Sequence, residues 1–179
     1  MKISGRRVST VAIAAIAALG IAYIVRAAQA RYALRVPDGL AFAEFKGYDA
    51  WQDLAVSETE GSVKVILANA IMVRAYKAGV PSNGMPFPEG SKIVKIEWSK
   101  RRNAVSPYFV EVPGTLKSLA FIEKDSDRFP RTHGWAYAKF FYDPATKTFA
   151  PAEAGFECGY ACHTRVAAHD YIFTEYPFR

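Results

Sequence analysis

The run W-A-Y-A-K-F-F-Y, Trp135 to Tyr142, decides what kind of fold this chain adopts. Five of its eight residues are aromatic. Such side chains favour strands because they pack well on a pleated, half-buried surface. His133-Gly134 opens the run and Asp143-Pro144 closes it, both turn-forming pairs. Working outward, Val63 to Ala68 and Ser91 to Trp98 read as further strands. In the second of these, Val94, Ile96 and Trp98 alternate with Ile93, Lys95 and Glu97, which gives a strand with two unlike faces. Tyr108 to Val112 is strand-like, Pro113-Gly114 reads as a turn, and Thr115 to Lys124 fits a strand or a short helix. Ser99 to Pro107, with Lys100-Arg101-Arg102, reads as a solvated basic loop. Helical spacing is found in two places. Tyr48 to Val56 sets Tyr48, Trp51, Leu54 and Ala55 on one side, and Ala70 to Ala78 lies between an Asn69 cap and a Gly79 stop. Asp125 to Arg128 reads as a helical turn. The sum is an α+β, mostly β domain: an antiparallel sheet with short flanking helices.

Phe149 to Phe156 leads from that sheet into C-G-Y-A-C-H-T, Cys158 to Thr164. Both cysteines of the chain are in this stretch, and His163 follows the second directly. This is the pattern that holds a c-type haem: two thiols form thioethers with the haem vinyl groups, and the adjacent histidine ligates iron. Three residues separate the cysteines where the usual motif has two. On a helix, positions i and i+4 share a face, so Cys158 and Cys162 still point at one ligand edge. Other arrangements fit the same residues. A Cys158–Cys162 disulfide closes only a tiny loop and stabilises little. A metal site from Cys158, Cys162, His163 and His169 has ligand types suited to zinc. Two buried free thiols run against an exported location.

Export is what the N-terminus argues. Lys2, Arg6 and Arg7 precede an apolar run from Val8 to Val25, and Ala28-Gln29-Ala30 fits a cleavage site. Residues 1–30 therefore read as a signal peptide cut after Ala30, or as a retained membrane anchor, since the run approaches the shortest membrane span. Either reading places residues 31–179 in an oxidising, periplasmic space. The formal charge of the chain is +6. The leader carries four basic residues and no acid, so the remainder is close to balanced at +2. No basic block or stripe remains to bind nucleic acid. The 149 residues that follow the leader are the size of one domain and can bury a core without disulfide staples.

Taken in order, Y-D-A-W (Tyr48 to Trp51), F-P-E-G-S-K-I-V-K (Phe87 to Lys95), K-D-S-D-R-F (Lys124 to Phe129), G-W-A-Y (Gly134 to Tyr137), C-G-Y-A-C-H and D-Y-I-F-T-E-Y (Asp170 to Tyr176) resemble the cytochrome P-460 family, whose relatives include the β-sheet cytochromes c′. The resemblance runs from about Phe42 to Arg179. It implies a sheet-based homodimer with one covalent haem c per chain, His163 as the proximal iron ligand, and an open side for nitric oxide or hydroxylamine. In the enzymes that name the family a lysine is also bonded to the haem ring, and Lys95 occupies its place. Those enzymes oxidise hydroxylamine with nitric oxide to give nitrous oxide, assisted by a distal carboxylate.

The resemblance is incomplete on that distal side. The carboxylate aligns near Ala120 and Phe121, neither of which accepts a proton, and a pocket arginine aligns with Lys64. Lys95, Lys64 and Phe121 would then shape the reactive side, with Glu123 a candidate substitute base on the same strand face as Phe121. Lys95 and Lys64 also fit ordinary strand lysines with solvated heads. Tyr160 reads as packing on the haem edge and His133 as exposed. The reading from sequence is a periplasmic haem protein that binds small nitrogen oxides, with hydroxylamine oxidation as its enzymatic form. The redox partner stays open. A gas-binding or electron-transfer cytochrome is the alternative, the latter with Met72 or Met85 as a sixth ligand. A haem-free Cys/His metal domain is the third reading.

Overall fold

A computed structural model describes residues 30–178. The leader assigned to the first thirty residues lies outside them but for Ala30. Six strands form one antiparallel sheet in the order of the chain: β1 (Gln52–Thr59), β2 (Ser62–Ala68), β3 (Lys92–Arg102), β4 (Glu111–Lys124), β5 (Trp135–Asp143) and β6 (Thr148–Pro151). The aromatic run is β5, and the α+β, mostly β expectation is met.

Alternation gives the sheet two different faces. On the first, Ile66, Ile93, Trp135 and Tyr137 pack with Met72, Val73 and Tyr76 from helix α1 (Ala70–Lys77) and with Ile172 from the C-terminal segment. On the second, Val94, Leu119, Phe121 and Phe140 pack with Val36, Leu40, Phe42 and Phe45 from the chain before β1. Burying each large apolar side chain contributes about 1.5–3 kcal/mol, so both faces are needed to stabilise the sheet. Helix α1 starts where Asn69 accepts from the Met72 N–H at 3.1 Å, and ends at Gly79, whose φ is +91°. Asn69 Nδ2 also donates to the Gly90 carbonyl at 2.8 Å, tying the helix to the loop before β3.

Three local expectations are corrected. Tyr48 to Val56 is not a helix: a single 3-10 turn, Tyr48–Ala50, gives way to β1. Trp51 packs on Phe45, and Leu54 is buried at a bulge between Asp53 and Ala55, so the apparent helical spacing reflects that bulge. The basic loop is shorter than expected, because β3 continues to Arg102. Pro113-Gly114 does not turn the chain but lies inside β4. Pro113 pairs with Lys100 on β3, while pairing with β5 begins only at Ser118. A missing N–H is tolerated on a stretch paired from one side. Gly114 is needed there because a Cβ would stand 2.7 Å from Ser99 Oγ.

Helix α2 (Glu157–His163) carries the cysteine motif and lies against β5. A 3-10 segment, Thr164–His169, follows it and ends in two residues with positive φ, Asp170 (+47°) and Tyr171 (+64°). These turn the chain back beneath α2.

Candidate functional site

Period-two alternation on the central strands places Ile93 and Lys95 of β3, Ala120 and Ile122 of β4, and Tyr137 and Lys139 of β5 on the first face. Together with α2 and the last residues of the chain they line a half-open chamber of about 950 Å³. That is the upper end of the range for cofactor sites, roughly 300–1,000 Å³. Cys162 and His163 line it from the helix, Lys64 and Lys95 from the sheet, and Phe173 from the C-terminal segment. Residues far apart in sequence and singled out by motif or alignment therefore meet in one space.

The helix sits very close to the sheet because residue 159 is glycine. A Cβ at Gly159 would stand 2.4 Å from Tyr137 Cβ. Cys158 and Cys162 lie on this helix at i and i+4, about 6 Å apart along its axis. Cys162 is an exposed free thiol.

His163 is held on three sides. Its ring is 4.5 Å from the Tyr137 ring and 4.9 Å, edge-on, from Phe173. Nδ1 is 2.5 Å from the Tyr171 carbonyl oxygen. A carbonyl only accepts, so Nδ1 carries the hydrogen and Nε2 keeps its lone pair, the arrangement of a metal-ligating histidine. Burial lowers the basicity of the imidazole, and the charge of Lys95 adds to this against the opposing Tyr171 hydrogen bond. The neutral ring that a metal ligand requires is thereby favoured.

The Lys95 amine takes part in no hydrogen bond or ion pair among the described residues. Burial pushes its amine below the usual lysine value, opposed by Glu97 and reinforced by Lys139 and Lys64. Lys64 donates to Thr59 Oγ1 at 3.0 Å. Glu97, on the same face next to the chamber, accepts from Ser118 Oγ at 3.1 Å and lies 3.9 Å from Lys139.

Asp170 fixes the segment beneath the helix. Its carboxylate accepts from Phe87 N at 2.8 Å, Lys124 Nζ at 3.1 Å and Trp135 Nε1 at 3.2 Å. Both partners of the ion pair are nearly buried.

Several expected roles are not supported. Phe121 borders the chamber, but its ring points to the second face, stacked 4.2 Å from Phe45 and 5.0 Å from Phe42, while its flanking residues Ala120 and Ile122 present their side chains to the chamber. Glu123 does share that face, as expected, and for that reason faces away: it pairs with Lys92 at 2.9 Å. Tyr160 bonds His133 Nδ1 at 2.7 Å and packs on Tyr171 rather than entering the chamber. His133 is exposed as expected. Met72 is fully buried beneath α1 and Met85 is on the surface, and neither lines the chamber. Among the described residues no three His, Cys, Asp or Glu side chains gather as a metal site, so Cys162, His163 and His169 do not form one.

The reading from sequence missed Tyr137, Lys139, Asp170 and the Tyr171 carbonyl. The first two were within reach, because alternation in Trp135 to Tyr142 sets Tyr137 and Lys139 on one face. A backbone carbonyl leaves no trace in side-chain chemistry.

The family described as Cytochrome P460 matches residues 45–174, which take in all six strands, the helix with the cysteines, and most of the chamber wall. No curated protein matches the chain.

Proposed function

The chain belongs to the cytochrome P460 family and is a c-type haem cytochrome; from that premise we propose that it binds small nitrogen oxides at a haem held in this chamber. Cys158 and Cys162 would hold the haem covalently and His163 would ligate its iron. The residues present fit the group: a thiol and a metal-ready imidazole open into one apolar space of cofactor size. Bound haem would supply a redox-active iron able to take a small ligand. The observation that carries the reading is the commitment of His163 Nδ1 to the Tyr171 carbonyl beside Cys162.

The chain's own residues then set the reactivity. Ile93, Ile122 and Ala120 give the sheet wall an apolar stretch between the lysines Lys64, Lys95 and Lys139. Lys95 brings an unpaired amine whose burial favours the uncharged, nucleophilic form. That is the form required for a bond to the haem ring. Proton removal is the weak point. Ala120 has no acceptor, and Glu97 is a poor base: despite burial, hydrogen bonds from Ser62 and Ser118 and the charge of Lys139 hold its carboxyl below the usual value. A placed base contributes roughly 10²–10⁴-fold to a rate, so ligand binding is favoured over hydroxylamine turnover. The unpaired Lys95 supports hydroxylamine oxidation as the second reading.

The proposal extends to a periplasmic location, because thioether attachment and an export-type leader agree, and to a homodimer. Val56, Phe141 and Phe173 line the chamber yet leave half or more of their surface exposed, an apolar rim suited to cover by a second copy.

The test is the absorption spectrum of protein matured with haem-attachment machinery. A red-shifted ferrous Soret band that is lost in Lys95→Ala supports the cross-link and directs assays to hydroxylamine. An ordinary high-spin c-type spectrum that changes with nitric oxide supports gas binding without the cross-link. Absence of any haem spectrum refutes the proposal.

A further inference from the structure

We propose that Asp170 is a positioning residue for the axial histidine: by clamping the left-handed turn at Asp170–Tyr171, it aims the Tyr171 carbonyl at His163 Nδ1. The inference rests on the haem reading above and concerns what tunes that site. Two consecutive non-glycine residues in the left-handed region are unfavourable and persist only when surrounding contacts hold them. Here the contacts come from three separate parts of the fold. Phe87 N belongs to the loop before β3, Lys124 ends β4, and Trp135 begins β5. Lys124 also donates to the His133 carbonyl at 3.0 Å and lies over the Trp135 ring, so the cation is fixed as firmly as the carboxylate.

The turn is closed from within as well. Tyr171 N donates to the Val166 carbonyl at 3.1 Å, and Ile172 is buried in the core of the first face. The peptide that carries the Tyr171 carbonyl is held by Ile172 N, which donates to the His169 carbonyl at 3.2 Å, and its direction follows from the left-handed Tyr171 backbone that the Asp170 clamp anchors. That carbonyl meets His163 Nδ1, with the Tyr137 hydroxyl at 3.4 Å as a second donor. A firm Nδ1–H···O bond fixes the tautomer and raises the donor strength of Nε2. Asp170 thus acts on the iron through one intervening peptide group and touches neither haem nor ligand.

The test uses haem-loaded protein and two readouts other than activity: the iron–histidine stretching frequency of the ferrous form and the midpoint potential. Trp135→Phe removes one donor to Asp170 and changes no charge. Asp170→Asn combined with Lys124→Met removes the ion pair as a unit, so no charge is stranded in the core, and asparagine tolerates left-handed backbone. The expected result is a lower stretching frequency and a higher potential in both, larger in the double variant. Glu44→Gln, on the opposite face, should shift neither. Wild-type frequency and potential in both variants, or equal shifts in Glu44→Gln, would overturn the clamp. If the double variant does not fold, Trp135→Phe decides alone. Wild-type protein without covalent haem overturns the haem reading and this inference together, whereas loaded wild type with unmoved variants overturns the clamp alone.

Discussion

Replacing Gly159 by alanine should separate the cysteine helix from the sheet. The added Cβ would lie 2.4 Å from Tyr137 Cβ and 2.6 Å from Tyr137 Cγ, whereas ordinary contact begins at 3.4 Å. About 1 Å of movement is therefore required. Tyr137 cannot supply it, because the contact is with the root of a side chain on a strand held in register by β4, where Tyr137 pairs with Ile122. Helix α2 must move instead, taking Cys162 and His163 with it. Overpacking of this kind costs about 1–3 kcal/mol, which for a chain of this size lowers Tm by about 2–12 °C. The displacement also pulls His163 away from the Tyr171 carbonyl. The assay compares thermal unfolding and haem content of Gly159→Ala with those of Ala161→Ser, an exposed position on the same helix. Gly159→Ala is expected to lose both stability and haem yield, and Ala161→Ser neither. A Gly159→Ala protein with wild-type Tm and full haem content would refute the close packing of α2 on β5.

Phe121→Ala should cost about 3–5 kcal/mol by denaturant unfolding while leaving nitric oxide affinity within about twofold, because the ring is core on the face away from the chamber. A change in affinity with little loss of stability would place the ring in the chamber after all. Glu44 gives a pH dependence: burial opposes its charge, but the Arg128 hydrogen bond and the Ala41 N–H outweigh this and hold its carboxyl below 4.5. A depressed folded value contributes stability above the unfolded value that is lost as pH falls through the folded one. Wild type should therefore lose stability below about pH 4.5 more steeply than Glu44→Gln, as followed by urea midpoints. Met72→Leu should leave the number of iron ligands unchanged in the absorption spectrum, since Met72 is enclosed beneath α1.

Much of this fold can be read from alternation. Trp135 to Tyr142 and Ile93 to Glu97 show their two faces directly, and Asn69 and Gly79 mark the ends of α1. The misreadings share a cause: local signals were outweighed by pairing that sequence alone does not display. Pro113-Gly114 has turn chemistry, yet sits in a strand because β3 extends beside it to Arg102. Tyr48 to Val56 has helical spacing because a bulge buries Leu54 out of step. In the site, the cysteine motif and the alignment of Lys95 and Lys64 pointed to residues that do line one chamber. Phe121 borders the same chamber, but its ring packs on the other face. Adjacent strand residues face opposite ways, so alignment near Ala120 and Phe121 left the face undecided by one position. The ion pair of Lys124 with Asp170 joins residues 46 apart in the chain, a separation that no local pattern reveals.

The most direct test of the central claim is the intact mass of protein matured in an oxidising compartment with haem-attachment machinery. The account predicts the mass of the chain plus one haem, resistant to acid extraction, and loss of that addition when both Cys158 and Cys162 are replaced by serine. A chain of unmodified mass, or haem retained equally by the double serine variant, would contradict it.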